Sequence, residues 1–228
     1  MSNNPPPTAA PTRRAKRDQD QTIADFITAT DQMLDIARTD AEIAPLLAPR
    51  GYDDDKLGTG VALKQTLQDT FTLRQQAIGT QKETVAASVG SEATARHGYT
   101  DFRETARAIF KDSATRAALG VMGKVPDDFQ RFVTTARASY DAALANPTIL
   151  AALTQYGYPA TTIQNARSQL DAAVAADTAQ TAAAGAAMRA TQQRDEAYTT
   201  LLAWVSQFKA IAKVALRGRA DLLRKLGG

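Results

Sequence analysis

The apolar residues of this chain recur at helical spacing along most of its length. From residue 22 to residue 47 they follow the three- and four-residue steps of an amphipathic helix, and Pro49 and Gly51 then end the pattern. A longer pattern runs from Leu57 to Ile109, with its apolar positions along one seam of the helix. The periodicity therefore predicts an all-α protein.

Acidic clusters stand where two helical patterns begin. Asp53–Asp55 precede the long pattern, and Asp127 and Asp128 follow a second break at residues 120–128. Carboxylates at such positions accept hydrogen bonds from free amides and complement the positive end of the helix dipole. The first cluster lacks the spaced glycine and terminal glutamate of a calcium loop. We interpret both clusters as helix caps.

A shift of 106 residues aligns the chain with itself. Residues 26–52 and 132–158 then share eight identities in 27 positions, among them Gly51 with Gly157 and Tyr52 with Tyr158. Glycine can adopt the left-handed conformation that ends a helix, and the tyrosine behind it can fold back onto the last turn. Each repeat is expected to contain a helix, a Gly-Tyr turn and a much longer helical stretch.

The repeat predicts how the chain is divided. A disordered, proline-rich basic tail is expected at residues 1–21, a first helical unit at 22–120 and a second at 121–228. The long stretch could break at Gly79 and Gly185, but a lone glycine among alanines costs only about 1 kcal/mol. We therefore predict an elongated antiparallel helical bundle of two tandem units of about 106 residues. The alternative is two compact three-helix bundles with breaks at these glycines.

A unit with one shorter and one double-length helix resembles the architecture of spectrin repeats, in which neighbouring three-helix bundles share a long helix. The resemblance covers period and topology only, without a sequence motif. It implies one complete bundle in the middle, an unfinished bundle of two helices from residues 22–85, and a third helix at residues 191–226. Unfinished bundles expose apolar stripes. We expect the C-terminal helix of one chain to dock on the N-terminal pair of another, giving a homo-oligomer or a complex with another protein.

The composition offers little of the cysteine and histidine that common catalytic mechanisms use. The chain has no cysteine and one histidine, His97, whose counterpart in the second repeat is Ala203. Thiolate metal sites and cysteine nucleophiles are thereby excluded. The Gly-x-Gly in Lys56–Gly60 follows a helix cap rather than a strand, so it does not predict a phosphate loop. We predict no catalytic, cofactor-binding or metal-binding residue and no small-molecule substrate, and therefore a non-enzymatic protein.

The net charge of +3 is distributed unevenly, because both ends of the chain are basic and the middle is acidic. The C-terminal segment is also amphipathic, so it could contact nucleic-acid phosphates or an anionic membrane. Packing of its apolar face within the bundle is the favoured interpretation. The candidate polyanion or partner contacts are Arg13, Arg14, Lys16, Arg17, Lys209, Lys213, Arg217, Arg219, Arg224 and Lys225.

These observations favour a structural or protein-interaction module of tandem helical repeats that self-associates. The alternatives are binding of nucleic acid or an anionic surface through the basic ends, and a membrane-active protein with amphipathic helices. Neither is favoured over the first. Residues 1–7 lack the features of a signal peptide and no apolar run is long enough to span a membrane, so we expect a cytoplasmic protein.

Overall fold

The computed structural model describes residues 19–227, and within them the secondary structure is entirely helical. The all-α prediction is confirmed for this part of the chain. A short 3-10 helix, Ala48–Arg50, follows α2. The α-helices are α1 (Gln19–Thr39), α2 (Ala44–Leu47), α3 (Asp54–Ile109), α4 (Ser113–Ala118), α5 (Phe129–Ala145), α6 (Pro147–Thr154), α7 (Ala160–Ala215) and α8 (Ala220–Lys225).

The first predicted helix differs from the observed one at both ends. α1 begins at Gln19, so residues 19–21 are helical, whereas the rest of the predicted tail lies outside the described residues. The pattern predicted one helix as far as residue 47, but α1 ends at Thr39. The Asp40 side chain accepts hydrogen bonds from the amides of Glu42 and Ile43, at 2.9 and 3.2 Å. An aspartate that binds nearby amides favours a turn over continued helix.

The two Gly-Tyr turns have the same backbone geometry. Gly51 and Gly157 have φ angles of 82° and 86°, in the left-handed region that favours glycine. The amide of Tyr52 donates to the Leu47 carbonyl at 3.3 Å, and that of Tyr158 donates to the Leu153 carbonyl at 3.1 Å. Each tyrosine therefore folds back onto the preceding helical turn, as the sequence predicts.

The aspartates ahead of α3 and α5 are helix caps. Asp53 Oδ1 accepts a hydrogen bond from the Lys56 amide at 2.9 Å, and Asp128 Oδ1 accepts one from the Arg131 amide at 2.9 Å. Both bonds satisfy amides that have no partner within the first helical turn. The interpretation of these two carboxylates as caps is confirmed.

The two long helices match each other in length. α3 and α7 contain 56 residues each, and both their first and their last residues are 106 positions apart. α3 continues through Gly79 and α7 continues through Gly185 without interruption. The breaks that the alternative fold requires at these glycines are therefore not observed.

The described residues form two compact units that both draw on α3 and α7. Unit 1 contains the residues up to Leu73 together with those from Thr191 onward, and unit 2 contains Arg74–Ala190. These units cut across the sequence segments 22–120 and 121–228. Fully buried core residues of unit 1 include Ala37, Ile43, Leu47, Leu67, Leu201, Phe208 and Leu216, and those of unit 2 include Phe102, Ala106, Leu119, Val121, Phe132, Ala136, Leu153 and Ile163.

Within unit 1 the last part of α7 packs against α1 and α3 of the same chain. The rings of Phe26 and Tyr198 meet edge to face at 5.2 Å, and those of Tyr52 and Phe208 at 5.1 Å. We expected a second chain to supply this third helix. The fold instead brings the C-terminal part of α7 back to the N-terminal pair, because the uninterrupted helix extends from unit 2 into unit 1.

Candidate functional site

The predicted basic contacts fall into two groups. Arg13, Arg14, Lys16 and Arg17 lie outside the described residues. The other six belong to unit 1, and all of them are exposed: Lys209 and Lys213 in α7, Arg217 and Arg219 in the turn that follows, and Arg224 and Lys225 in α8. The fold therefore places the C-terminal cations near one end of a single compact unit, while their apolar neighbours fill its core.

Two of these cations already have carboxylate partners. Arg219 is ion-paired with Glu42 and Asp221, and Lys225 Nζ lies 3.0 Å from Asp40 Oδ2. The hydrogen bond from Lys225 lowers the pKa of Asp40, and the bond from Arg219 lowers the pKa of Asp221. In the reverse direction, Asp40 raises the pKa of Lys225. These contacts tie α8 to the loop between α1 and α2, so Arg219 and Lys225 are less available to an external anion.

The remaining candidates form a short row of exposed charge. Lys209, Lys213 and Arg217 follow one another at four-residue intervals, which places the two lysines on the same face of α7. No carboxylate of the described chain forms an ion pair with these three side chains. Arg224 is also exposed, and its Nε donates to the Ala220 carbonyl at 3.4 Å. The row Lys209–Lys213–Arg217 is thus the part of the predicted basic surface that remains open to a phosphate or another anion.

A buried arginine in α7 was missed by the sequence reasoning. The Arg194 side chain is only 1% exposed, and its Nη1 donates to Asp20 Oδ1 at 3.3 Å. Asp195 Oδ1 lies 2.8 Å from Nε as an ion-pair partner, although Nε donates no hydrogen bond within the described chain. A buried guanidinium requires nearby carboxylates to offset the loss of hydration. The signal in the sequence is an arginine on the apolar seam between Ala190 and Leu201.

An aromatic cluster lies where α3 and α7 pack together in unit 1. The rings of Trp204 and Phe208 stack at 5.5 Å, and Tyr52 packs edge-on against both. Burial raises the pKa of Tyr52. The Tyr52 hydroxyl and Trp204 Nε1 are both buried without a hydrogen-bond partner among the described residues. The cluster is therefore arranged for packing, and these two polar atoms are its unsatisfied groups.

In unit 2, Tyr99 and Arg96 are polar side chains that have partners in the packing between helices. The hydroxyl groups of Tyr99 and Ser139 lie 3.1 Å apart, within hydrogen-bonding distance. Arg96 lies over the Phe132 ring at 4.4 Å and donates to the carbonyls of Pro126 and Asp127 at 2.8 Å each. These bonds hold the start of α5 against α3. Their partners are backbone or buried side chains, so they stabilise packing rather than face a ligand.

The surface grooves of unit 1 carry mixed charge. A groove of about 510 Å³ between α1 and α3 is lined by Asp35, Arg38 and Asp54 among others, and a neighbouring one of about 300 Å³ shares Arg38 and Asp54.

His97, in unit 2, is 81% exposed and lies 3.3 Å from Asp101 one helical turn away. Within residues 19–227, no three potential metal ligands cluster together. No described helix is long and apolar enough to cross a membrane.

Comparison with known proteins adds no relative to this picture, since no family, curated protein or solved structure matches the chain.

Proposed function

We propose that the chain is a non-enzymatic structural or protein-interaction module of two tandem helical repeats that self-associates. The observation that carries the proposal is the use of three buried or half-buried polar side chains. Arg194 is held by carboxylates, Tyr99 by Ser139 and Arg96 by backbone carbonyls, so each contributes to helix packing. These polar side chains thus contribute to a scaffold, and its exposed surface is what remains for recognition.

Several features support an origin of the scaffold in a repeat of 106 residues. α3 and α7 share their bounds at this spacing, and the left-handed glycines Gly51 and Gly157 do so as well. The edge-to-face pair Tyr52–Phe208 in unit 1 corresponds to Tyr158–Phe102 in unit 2, with centroid distances of 5.1 and 5.6 Å. The arrangement is similar to spectrin repeats in period and topology only. We propose that the two sequence repeats, rather than the two compact units, are unequal copies of one ancestral helical segment.

Exposed apolar side chains on the two long helices support self-association. Val89 in α3 is 64% exposed and Met188 in α7 is 75% exposed, and both belong to unit 2. Burial of these side chains in a protein contact would remove apolar surface from water, which is favourable. The basis for self-association is therefore these exposed side chains and not the apolar stripe of an unfinished bundle, because α7 of the same chain already completes unit 1.

Sedimentation velocity over a concentration series tests this function. We expect an average mass that rises with concentration, and a smaller rise when Val89→Lys and Met188→Lys are combined, because charged side chains oppose burial. Met122→Lys is the control, since Met122 is also exposed but lies in the loop before α5. A single monomeric mass at all concentrations would contradict self-association.

The second candidate function is binding of a nucleic acid or anionic surface, which the row Lys209–Lys213–Arg217 favours. Replacing all three residues by glutamine should weaken a DNA mobility shift, and the remaining shift should depend less steeply on salt. Lys82→Gln is the control, because Lys82 is an exposed cation on α3 of unit 2. Point substitutions are required here, since deleting residues 207–228 would remove Phe208 and Leu216 from the core. An unchanged shift would contradict a role for this row.

A further inference from the structure

Each compact unit is built from both halves of the sequence when the halves are divided in the loop between α4 and α5. Unit 1 takes α1, α2 and the start of α3 from the first half, and the end of α7 and α8 from the second. Unit 2 takes the end of α3 and α4 from the first half, and α5, α6 and the start of α7 from the second. Neither half contains all the residues of either core. Core formation in each unit is therefore an interaction between the two halves.

One close contact between the halves in unit 1 joins Gly60 of α3 and Trp204 of α7. A Cβ atom at Gly60 would lie 2.4 Å from Cη2 of the indole and 2.6 Å from Cζ2. The indole cannot withdraw easily, because it is stacked on Phe208 and flanked by Tyr52. Only glycine at position 60 leaves room for this large side chain.

The corresponding positions in unit 2 hold different residues. At the spacing of 106, Trp204 corresponds to Gly98 and Gly60 corresponds to Ala166. A first half that paired with another first half would set Gly60 against Gly98 and leave the volume of the indole empty. A second half that paired with another second half would set Trp204 against the methyl group of Ala166. One self-pairing creates a cavity and the other a steric clash, whereas the observed pairing avoids both.

The ion pairs between the halves show the same selectivity. In unit 1, Arg219 pairs with Glu42 and Lys225 with Asp40. The residues at the corresponding positions of the other repeat are uncharged: Ser113, Leu119, Thr148 and Asn146. Either self-pairing would therefore lose both ion pairs. In unit 2 the position of Arg96, which binds the carbonyls at the start of α5, corresponds to Leu202.

We propose that the two halves of the chain, divided after Gly123, are specific binding partners for each other. The fit of Trp204 against Gly60, together with the ion pairs, makes each half select the other half rather than a second copy of itself. The accepted pairing rests on observed contacts. The argument against pairing of a half with its own copy rests on the repeat, which is part of the proposed function. The experiment therefore tests the observed pairing and the repeat correspondence separately.

The test starts from the folded full chain with a protease recognition sequence inserted between Gly123 and Lys124. This loop position is exposed, and a Cβ atom built at Gly123 meets no atom within 4 Å. Insertions at exposed loops of this kind are generally tolerated. After cleavage, we expect both halves to elute together with the mass of one chain. Separation of the halves under native conditions would overturn the proposal.

The Gly60 contact is tested in the same cleaved protein. Gly60→Ala should weaken the association of the halves by about tenfold or more, because the packed indole resists an added methyl group. Gly58→Ala is the matched control, since Gly58 lies in the same helix and a Cβ there meets no atom within 4 Å. Equal affinities for the two variants would overturn the assigned role of Gly60 and Trp204, even if the halves remain associated.

Selectivity is tested by separating the cleaved halves in denaturant and then removing the denaturant. The halves refolded together should regain a one-to-one complex with the circular dichroism and thermal transition of the cleaved full chain. Each half refolded alone should not give a folded homodimer. A stable, cooperatively melting homodimer of either half would overturn the selectivity and the repeat correspondence behind it, while leaving the observed pairing intact. Self-association of the uncut chain is measured separately by sedimentation.

Discussion

Tyr52 and Tyr158 occupy corresponding turns, but their hydroxyl groups have different surroundings. Burial raises the pKa of both tyrosines, and a hydrogen bond with the Thr105 side chain partly opposes this effect at Tyr158. The Tyr52 hydroxyl has no partner among the described residues. The residue 106 positions after Thr105 is Ile211, which packs against the core of unit 1. The apolar residue at this position therefore leaves the buried Tyr52 hydroxyl unsatisfied.

Replacing each tyrosine by phenylalanine should separate the two cases. Tyr158→Phe should lower the free energy of unfolding by about 1 kcal/mol, because it removes a hydrogen bond. Tyr52→Phe should leave it unchanged or raise it by about 1 kcal/mol, because a buried hydroxyl without a partner is costly. Urea unfolding followed by circular dichroism measures both changes. If Tyr52→Phe destabilises the protein as much as Tyr158→Phe, the Tyr52 hydroxyl has a partner after all.

The two long helices owe their continuity to the residues around their glycines. α7 passes through Gly185 within the alanine-rich sequence Thr181–Ala187, and alanine has the highest helix propensity. α3 passes through Gly79, where a Cβ atom would meet nothing within 4 Å. Neither glycine has a positive φ angle, in contrast to Gly51 and Gly157. The same residue type is therefore tolerated in a helix and required in a turn.

Alanine substitutions should show this difference at the level of the helix. Gly79→Ala should raise the free energy of unfolding by about 0.5 to 1 kcal/mol, since the added methyl group favours helix and contacts nothing. Gly51→Ala should lower it by about 1 kcal/mol, because its φ of 82° is unfavourable for alanine. Thermal and urea unfolding would provide both values. A destabilising Gly79→Ala would indicate that this part of α3 needs the flexibility of glycine.

Across the whole molecule, ion pairs join segments that are far apart in the chain. Asp40 and Glu42 lie just after α1, whereas Arg219 and Lys225 lie at the C-terminal end. The partners lower the pKa values of Asp40 and Asp221 from their ordinary value of 3.8. A carboxyl group with a lowered pKa stabilises the folded state above its unfolded pKa, and this contribution disappears as the pH falls through the folded pKa.

The stability of the protein should therefore decrease as the pH falls from about 5 to about 3. Lys225→Met should make this decrease smaller, because it removes the main cause of the lowered pKa of Asp40. At the alkaline end, the raised pKa of Lys225 means that its contribution is present below 10.5 and is lost at higher pH. Melting temperatures across the pH range, for the natural chain and the variant, measure this dependence. Parallel curves for the two proteins at low pH would contradict it.

Local features of the fold could be predicted from the sequence because short-range chemistry controls them. The apolar seam from Leu57 to Ile109 predicted α3, and Asp53 and Asp128 predicted the caps. The Gly51–Tyr52 pair predicted a turn that the backbone adopts. The prediction of one continuous helix from residue 22 to residue 47 was wrong. The Asp40 side chain accepts hydrogen bonds from two amides that would donate to backbone carbonyls in a continuous helix.

The sequence by itself determined the all-α class, most of the helical segments and the two Gly-Tyr turns, and it is the basis of the repeat that we propose at a spacing of 106. Only the tertiary structure decided which helical segments share a core. Periodicity identifies the apolar face of a helix but not the helix that packs against it. The same pattern was therefore compatible with a second chain completing unit 1. The contact of Trp204 with Gly60 and the burial of Arg194 beside Asp20 depend on segments more than 140 residues apart in the chain. Volume and charge are matched at these places only after the last part of α7 has packed on α1 and α3.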